Sequence, residues 1–236
     1  MIEDIHNLRK TDKDFIERFE NFAFNEVPNE KQLDNKTKYM AILASLLGCG
    51  GIDEYKVIVP IALKNDVTPI EIKEIVYQAV AYLGIGRIYP YLKITNEILE
   101  NSGTQLPLEN QSTTTMKDRL EKGSQAQIDI FGNRMKDFYK SGPEETRHIN
   151  AWLAANCFGD YYTRRGLDYN QREMITFCFL VSQGGCEPQA ISHAKGNIRL
   201  GNDKDFLIRV VSNILPFIGY PRSLNAIKCI NEAIEE

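Results

Sequence analysis

The 236-residue chain is poor in the side chains that build metal centres and disulfide frameworks. It has three histidines, at positions 6, 148 and 193, and no two share the spacing of metal ligands, so neither a metal site nor a metal cofactor is expected. Its five cysteines (49, 157, 178, 186 and 229) are odd in number and scattered, without a CxxC pair. That excludes a disulfide framework and fits the reduced thiols of a cytoplasmic protein. Positive charge is also short: 28 Lys and Arg against 32 Asp and Glu leave a net charge of −4 and a pI near 5.6. A nucleic-acid surface needs the opposite balance. The longest apolar stretch, from Tyr39 to Leu47, is interrupted by Ser45 and too short to span a bilayer. The first ten residues, MIEDIHNLRK, lack the apolar core of a signal peptide. No nucleic-acid or membrane partner is therefore expected, and a small molecule is the expected ligand.

Alternating strand patterns are nearly absent, while helical periodicity runs throughout. Phe15, Phe19 and Phe22 form an apolar row at i, i+4 and i+7 behind a cap at Thr11 or Asp12. This Phe row, with Phe24 and Trp152, is expected in the core. Asn35 is placed to cap a helix over 36–47 that ends in the glycines from 48 to 51, and a further helix covers 53–64. Thr68-Pro69-Ile70-Glu71 reads as a capping box with Pro at the first helical position, followed by a buried stripe of Ile72, Ile75, Val76 and Ala79. Gly84 closes that helix, and the next runs over 87–100. Asn170 is placed to cap 171–183, followed by helices at 187–200, from Asn202 or Asp203, and beyond Gly219-Tyr220-Pro221. Helices are also expected near 117–122, 124–140 and 145–158.

These elements recur. Residues 33–100 lie on 168–235 without a gap, at a constant offset of 135 residues. Asn35 falls on Asn170, Gly50 on Gly185, Val76 on Val211, Gly84 on Gly219 and Arg87 on Arg222, and Lys93, Asn96, Glu97 and Glu100 also meet identical residues. A fixed period means one structural unit used twice. The segment NSGTQLPLENQSTTT is polar and rich in turn formers. The expected organisation is a first repeat over 1–101, a linker over 102–116 and a second repeat over 117–236. The Phe158–Tyr162 corner resembles Phe24-Asn25-Glu26 one residue out of register, which extends the repeat to earlier residues with an indel.

The copies differ where chemistry is possible. Glu173, Cys186 and His193 face Lys38, Gly51 and Ile58 of the first copy. His193 lies seven residues after Cys186, about two turns, so both can point to one face of a helix. At the start of that helix the dipole would lower the Cys186 thiol's pKa. His193 is a natural proton shuttle. Each also has a structural reading: Cys186 as a small residue in a Gly-Gly-Cys corner, His193 as a bonded interior ring, Glu173 as a carboxylate favoured in a first turn.

Thr163-Arg164-Arg165-Gly166-Leu167-Asp168, then Arg172-Glu173, Gly184-Gly185-Cys186 with His193 and Gly201, and Ile218 to Ala226 together resemble the carboxymuconolactone decarboxylase family. Asp66-Val67-Thr68-Pro69 and Glu71–Glu74 carry the likeness in the first half. That resemblance implies an all-α fold of two tandem AhpD-like helical repeats packed together, and a homo-oligomer, with a trimer reproducing a six-unit ring. The hydroperoxidase branch uses a Glu, a CxxC pair and a His. Here Gln189 stands where the second cysteine would be, so an internal disulfide cycle cannot close. The decarboxylase branch needs a cation for the substrate carboxylate and an acid for the enolate left after carbon dioxide departs. Arg164, Arg165 and Arg222 are candidate anchors, because guanidinium binds carboxylate bidentately. Arg222 has a counterpart in Arg87, which favours a helix-end role. Asp160 and Tyr161, with Tyr162, are candidates to line the same cleft.

Three readings follow. The first is an acid–base enzyme acting on a small carboxylated lactone or related acid, without a cofactor, through Glu173 and His193. The second is a thiol peroxidase or disulfide reductase using Cys186 and an external thiol. The third is a non-catalytic assembly or binding member.

Overall fold

The computed structural model describes residues 8–235. His6 and most of the segment read for a signal peptide lie outside the described residues. Among the described residues the regular structure is entirely helical, with no strand and no helix long and apolar enough to cross a membrane. The first repeat contributes α1 (Lys13–Asn21), α2 (Asn35–Cys49), α3 (Ile52–Lys64), α4 (Pro69–Leu83) and α5 (Ile85–Asn101). After α6 (Arg119–Phe131) and the short α7 (Arg147–Trp152), the second supplies α8 (Tyr169–Gln183), α9 (Glu187–Leu200), α10 (Lys204–Ile218) and α11 (Tyr220–Glu235). At the sequence offset, α4 falls on α10 and α5 on α11 almost residue for residue. Gly84 and Gly219 end α4 and α10 with φ of 77° and 81°.

Local chemistry sets the helix ends. Thr68 and Glu71 form the expected capping box, with Pro69 at the first turn. Two caps lie elsewhere than the sequence reading put them. Asp34, one residue before Asn35, accepts from the Thr37 N–H, and Asp168 forms a capping box with Gln171. A carboxylate in either place meets the exposed N–H groups with a full charge. Asn170 instead donates to the Leu200 carbonyl at 2.9 Å and ties α8 to the end of α9. The helix expected over 124–140 stops at Phe131, because Gly132 turns away at φ 87°. That expected over 145–158 becomes α-helical only to Trp152 and then winds as a π-helix over Leu153–Tyr162. The first repeat has the same device at Phe22–Glu26. The π-wound segment is five residues long in the first repeat and ten in the second, and the one-residue slip between the two corners falls in this region.

α2 and α8 form the centre. Both are buried on nearly all faces, as a helix enclosed by others must be. They cross so closely at Gly48 that a Cβ there would lie 2.7 Å from the Phe179 carbonyl oxygen and 2.8 Å from the Ser182 Cβ. The Ile72, Ile75, Val76 and Ala79 stripe is fully buried. Phe15 and Trp152 are not in the core: they are 68% and 61% exposed. Phe19 and Phe24 are partly buried and pack edge-on against Phe217 of α10, at 5.9 and 6.3 Å between ring centroids.

The repeats clasp each other. The segment before α2 lies on α10, where Asn213 Nδ2 donates to the Lys31 carbonyl at 2.7 Å. The segment before α8 lies on α4, where Arg164 binds Glu74 through Nε and Nη2 at 2.9–3.0 Å. Each half thus completes the other's packing.

Candidate active site

The second repeat buries a carboxylate–imidazole pair. Glu173, fully buried on α8, has Oε2 2.8 Å from His193 Nδ1 on α9. A carboxylate there accepts from Nδ1–H and leaves Nε2 as the other reactive ring nitrogen. The ring sits edge-on between Tyr82 and Phe131, with centroids 5.5 and 5.4 Å away, which fixes its plane. Asn197 donates from Nδ2 to the carbonyls of both Glu173 and His193 and locks the two helices together. Gly196 supplies the room: a Cβ there would meet Glu173 Oε2 at 2.5 Å and Phe131 Cε1 at 2.8 Å.

Glu173 also ends a chain of donors that crosses between the repeats. The Tyr162 hydroxyl, from the π-wound segment, donates to Glu173 Oε1 at 2.7 Å. With its proton so committed, Tyr162 Oη accepts from Thr176 Oγ1 at 2.7 Å and from Tyr82 Oη at 3.0 Å. Thr176 accepts from Gln78 Nε2, and Gln78 Oε1 accepts from Arg172 Nη1, at 2.8 and 2.7 Å. Every donor along this path points toward Glu173. Burial pushes the Tyr82 and Tyr162 hydroxyls well above their usual range, and nearby Glu173 adds to the effect. Both phenols are therefore firm donors at neutral pH. Cys157, which donates to Tyr82 Oη at 3.5 Å, is pushed up to about 12 by burial.

Cys186 stands elsewhere. It occupies the expected place before α9, yet its side chain makes no capping bond. Its Sγ donates to the Leu180 carbonyl at 3.2 Å, and it lines a cleft of about 20 Å³ with Arg222 and Cys229. Burial pushes this thiol up and the Glu187 charge adds to it, against a hydrogen bond from Gln183, a direction opposite to the lowering expected at a helix start. Gln189 is exposed.

The arginines divide. Arg164 is committed to Glu74, which also takes Arg172 at 3.1 Å. Arg165 is exposed and lines a cleft of about 560 Å³ that has Tyr162 in its wall. Arg222 lies beside Gly184, while its counterpart Arg87 donates to the Gly48 carbonyl at 2.9 Å, the helix-end role read from the repeat. Asp160 is held by Arg119 at 2.6 Å, and Tyr161 is half-buried with its hydroxyl pushed up by burial and by Asp160. In the first repeat, Ile58 is buried where His193 would lie, and Lys38 bonds Asn35.

Three residues of the site carry no signal of their roles in the sequence alone: Tyr162 as the bridge, Gly196 as the space-maker and Gln127. Gln127 is 1% exposed, and neither amide atom has a protein partner among the described residues. It lies one turn before Phe131, the residue that edges His193. The helical stripe around it signals its burial but not its lack of partners.

Comparison with known proteins gives a consistent picture. A model of the carboxymuconolactone decarboxylase family matches residues 13–97 and again 148–232, in the register of the internal repeat. Over 99 residues the chain is 26% identical to a 4-carboxymuconolactone decarboxylase of Acinetobacter baylyi, a stretch covering 42% of this chain and 74% of that protein.

Proposed function

The chain belongs to the carboxymuconolactone decarboxylase family as a tandem two-copy member, and from that membership we propose that it is an acid–base enzyme acting on a small carboxylated lactone or related acid. The observation that carries this reading is the buried Glu173–His193 pair. Loss of carbon dioxide from a carboxylate leaves an electron pair on carbon as an enolate. The imidazolium of His193 delivers its Nε2 proton to that carbon, and Glu173 balances the ring's charge before the transfer. Water returns the proton to Nε2, so the residue is unchanged after one cycle. Tyr162 holds Glu173 from the other side and keeps it directed at Nδ1. Of the three candidate arginines, Arg165 is our choice to receive a substrate carboxylate, because Arg164 is already paired with Glu74 and Arg222 lies in a cleft of only about 20 Å³; the larger cleft that Arg165 lines reaches the pair through Tyr162.

The thiol chemistry has less support, given a raised Cys186 thiol apart from the pair. The five free thiols fit a cytoplasmic setting. Assembly into a homo-oligomer, a trimer by the family's habit, belongs to the same proposal. Ile85 and Tyr89 on α5 and their counterparts Tyr220 and Leu224 on α11 are all more than half exposed. One apolar face is thus presented twice.

The test is carbon dioxide release from 4-carboxymuconolactone. His193→Gln should lose about 100-fold or more in rate while keeping its circular dichroism spectrum, and Cys186→Ser should retain turnover. Full activity in His193→Gln would reject the assignment.

A further inference from the structure

A cavity of about 510 Å³ lies on the first repeat, between α4, α5 and the segment 106–111, with Arg164 reaching in from the second repeat. Neither Glu173 nor His193 lines it. Its most unusual member is Lys73, a lysine only 7% exposed. Lys73 Nζ donates to Asn96 Oδ1 at 2.6 Å and lies 5.0 Å from the centroid of the Tyr77 ring. Among the described residues no carboxylate pairs with it. The adjacent buried acid, Glu74, is already shared by Arg164 and Arg172. Glu71 is held by Lys36 and Thr68. Glu100 and Glu109 lie on the exposed lining, where water screens them.

Of the two buried carboxylates beside it, Glu74 is thus taken by two guanidiniums and Glu71 by Lys36, which leaves the Lys73 ammonium without a paired carboxylate among the described residues. An ammonium has three donors, and Asn96 takes one. A charge withdrawn from water and left without a counter-charge is costly, and burial pulls the Lys73 pKa down accordingly. The second repeat has nothing comparable: Lys73, Glu74 and Tyr77 are matched by Ile208, Arg209 and Ser212.

We propose that this cavity binds a small organic acid, its carboxylate on the Lys73 ammonium beside Arg164 and its apolar body against Ile70, Leu106 and Leu108. The carboxylate supplies the missing negative charge and takes the free donors. The apolar walls select an organic acid over an inorganic anion. The site belongs to the repeat that lacks the carboxylate–imidazole pair, so it stands whether or not the proposed decarboxylation is correct.

Isothermal titration of the full chain with sodium benzoate, and separately with inorganic phosphate, tests this. Benzoate should bind once per chain at this site, more tightly than phosphate. Lys73→Met should weaken it by about tenfold or more, as loss of a charge-assisted bond does, and Lys73→Arg should bind more tightly than Lys73→Met. Leu108→Glu, on the partly exposed wall, should also weaken it and serves if Lys73→Met does not fold. His193→Gln should bind as the unaltered protein does. Absence of benzoate binding, unchanged affinity in Lys73→Met or Leu108→Glu, or binding of phosphate alone would overturn the proposal.

Discussion

Replacing Gly196 by alanine sets two opposing effects against each other at the centre of the site. In an exposed helix interior this change stabilises by about 0.8–1.0 kcal/mol, because alanine is the better helix former. In α9 the added methyl would meet Glu173 Oε2 at 2.5 Å, Phe131 Cε1 at 2.8 Å and Glu173 Cδ at 3.3 Å. None of these is the free end of a mobile side chain. Glu173 is fixed by Tyr162 and His193, and Phe131 packs against both His193 and Phe158. Relief needs α9 to move away from α8 or Glu173 to release His193. Overpacking of this kind costs about 1–3 kcal/mol, and a lost bond to a charged group about 1.5–3 kcal/mol. The clash outweighs the propensity gain, with net destabilisation of about 2 kcal/mol once partial relaxation is included. For a chain of this size that lowers Tm by about 4–8 °C. Urea and thermal unfolding followed by circular dichroism measure the stability, and carbon dioxide release should show a fall in kcat from the displaced carboxylate. A Gly196→Ala protein about 1 kcal/mol more stable, with unchanged kcat, would refute the reasoning by showing that α9 has room to spare.

Three other perturbations have defined signs. Glu74→Gln leaves the fully buried Arg172 guanidinium without its carboxylate and should cost about 3–5 kcal/mol, with much of the loss recovered in Glu74→Gln/Arg172→Met. Urea midpoints at constant m measure this, and a single variant within 1 kcal/mol of the parent would contradict it. Gln127→Leu removes a buried amide without protein partners and should raise stability by about 1–2 kcal/mol. A lowered urea midpoint would instead show that the amide is satisfied. Cys157 and Cys178 are both pushed by burial from an ordinary 9.0 to about 12. Between those values the unfolded chain binds fewer protons than the folded one, so the thiols' contribution, complete below pH 9, is lost as pH rises toward 12. The slope is about 1.4 kcal/mol per pH unit for each thiol. Cys178→Ala should flatten the alkaline limb of a stability–pH curve by one such share, and an unchanged slope would exclude it as a source.

The fold was legible because its signals are periodic and local. The capping box at Thr68, the glycine ends at Gly84 and Gly219 and the 135-residue offset each depend on residues near in sequence or on direct comparison of the halves. Caps were misplaced by one or two residues at Asn35 and Asn170 because Asp and Asn compete for the same role in adjacent positions. The π-wound segments were invisible, since an extra residue per turn leaves the composition unchanged. For the site, Glu173 and His193 were singled out because they differ between copies. Their bond to each other depends on the angle between α8 and α9, which spacing does not specify. Cys186 shares a helix-turn spacing with His193 yet is held by the Leu180 carbonyl. Phe15 and Trp152 show the limit of hydrophobicity alone, because an aromatic stripe says nothing about which neighbour covers it.

The mutual clasp makes chain connectivity part of the protein's stability. Arg164 of one half closes on Glu74 of the other, and Asn213 closes on Lys31, so each core is finished by a strap from its twin. Cleaving the chain within 102–116 would leave two fragments, each with an unfilled seat and a dangling strap. Their reunion would then be bimolecular, and melting would gain a dependence on fragment concentration that the tether between the twins removes from this step.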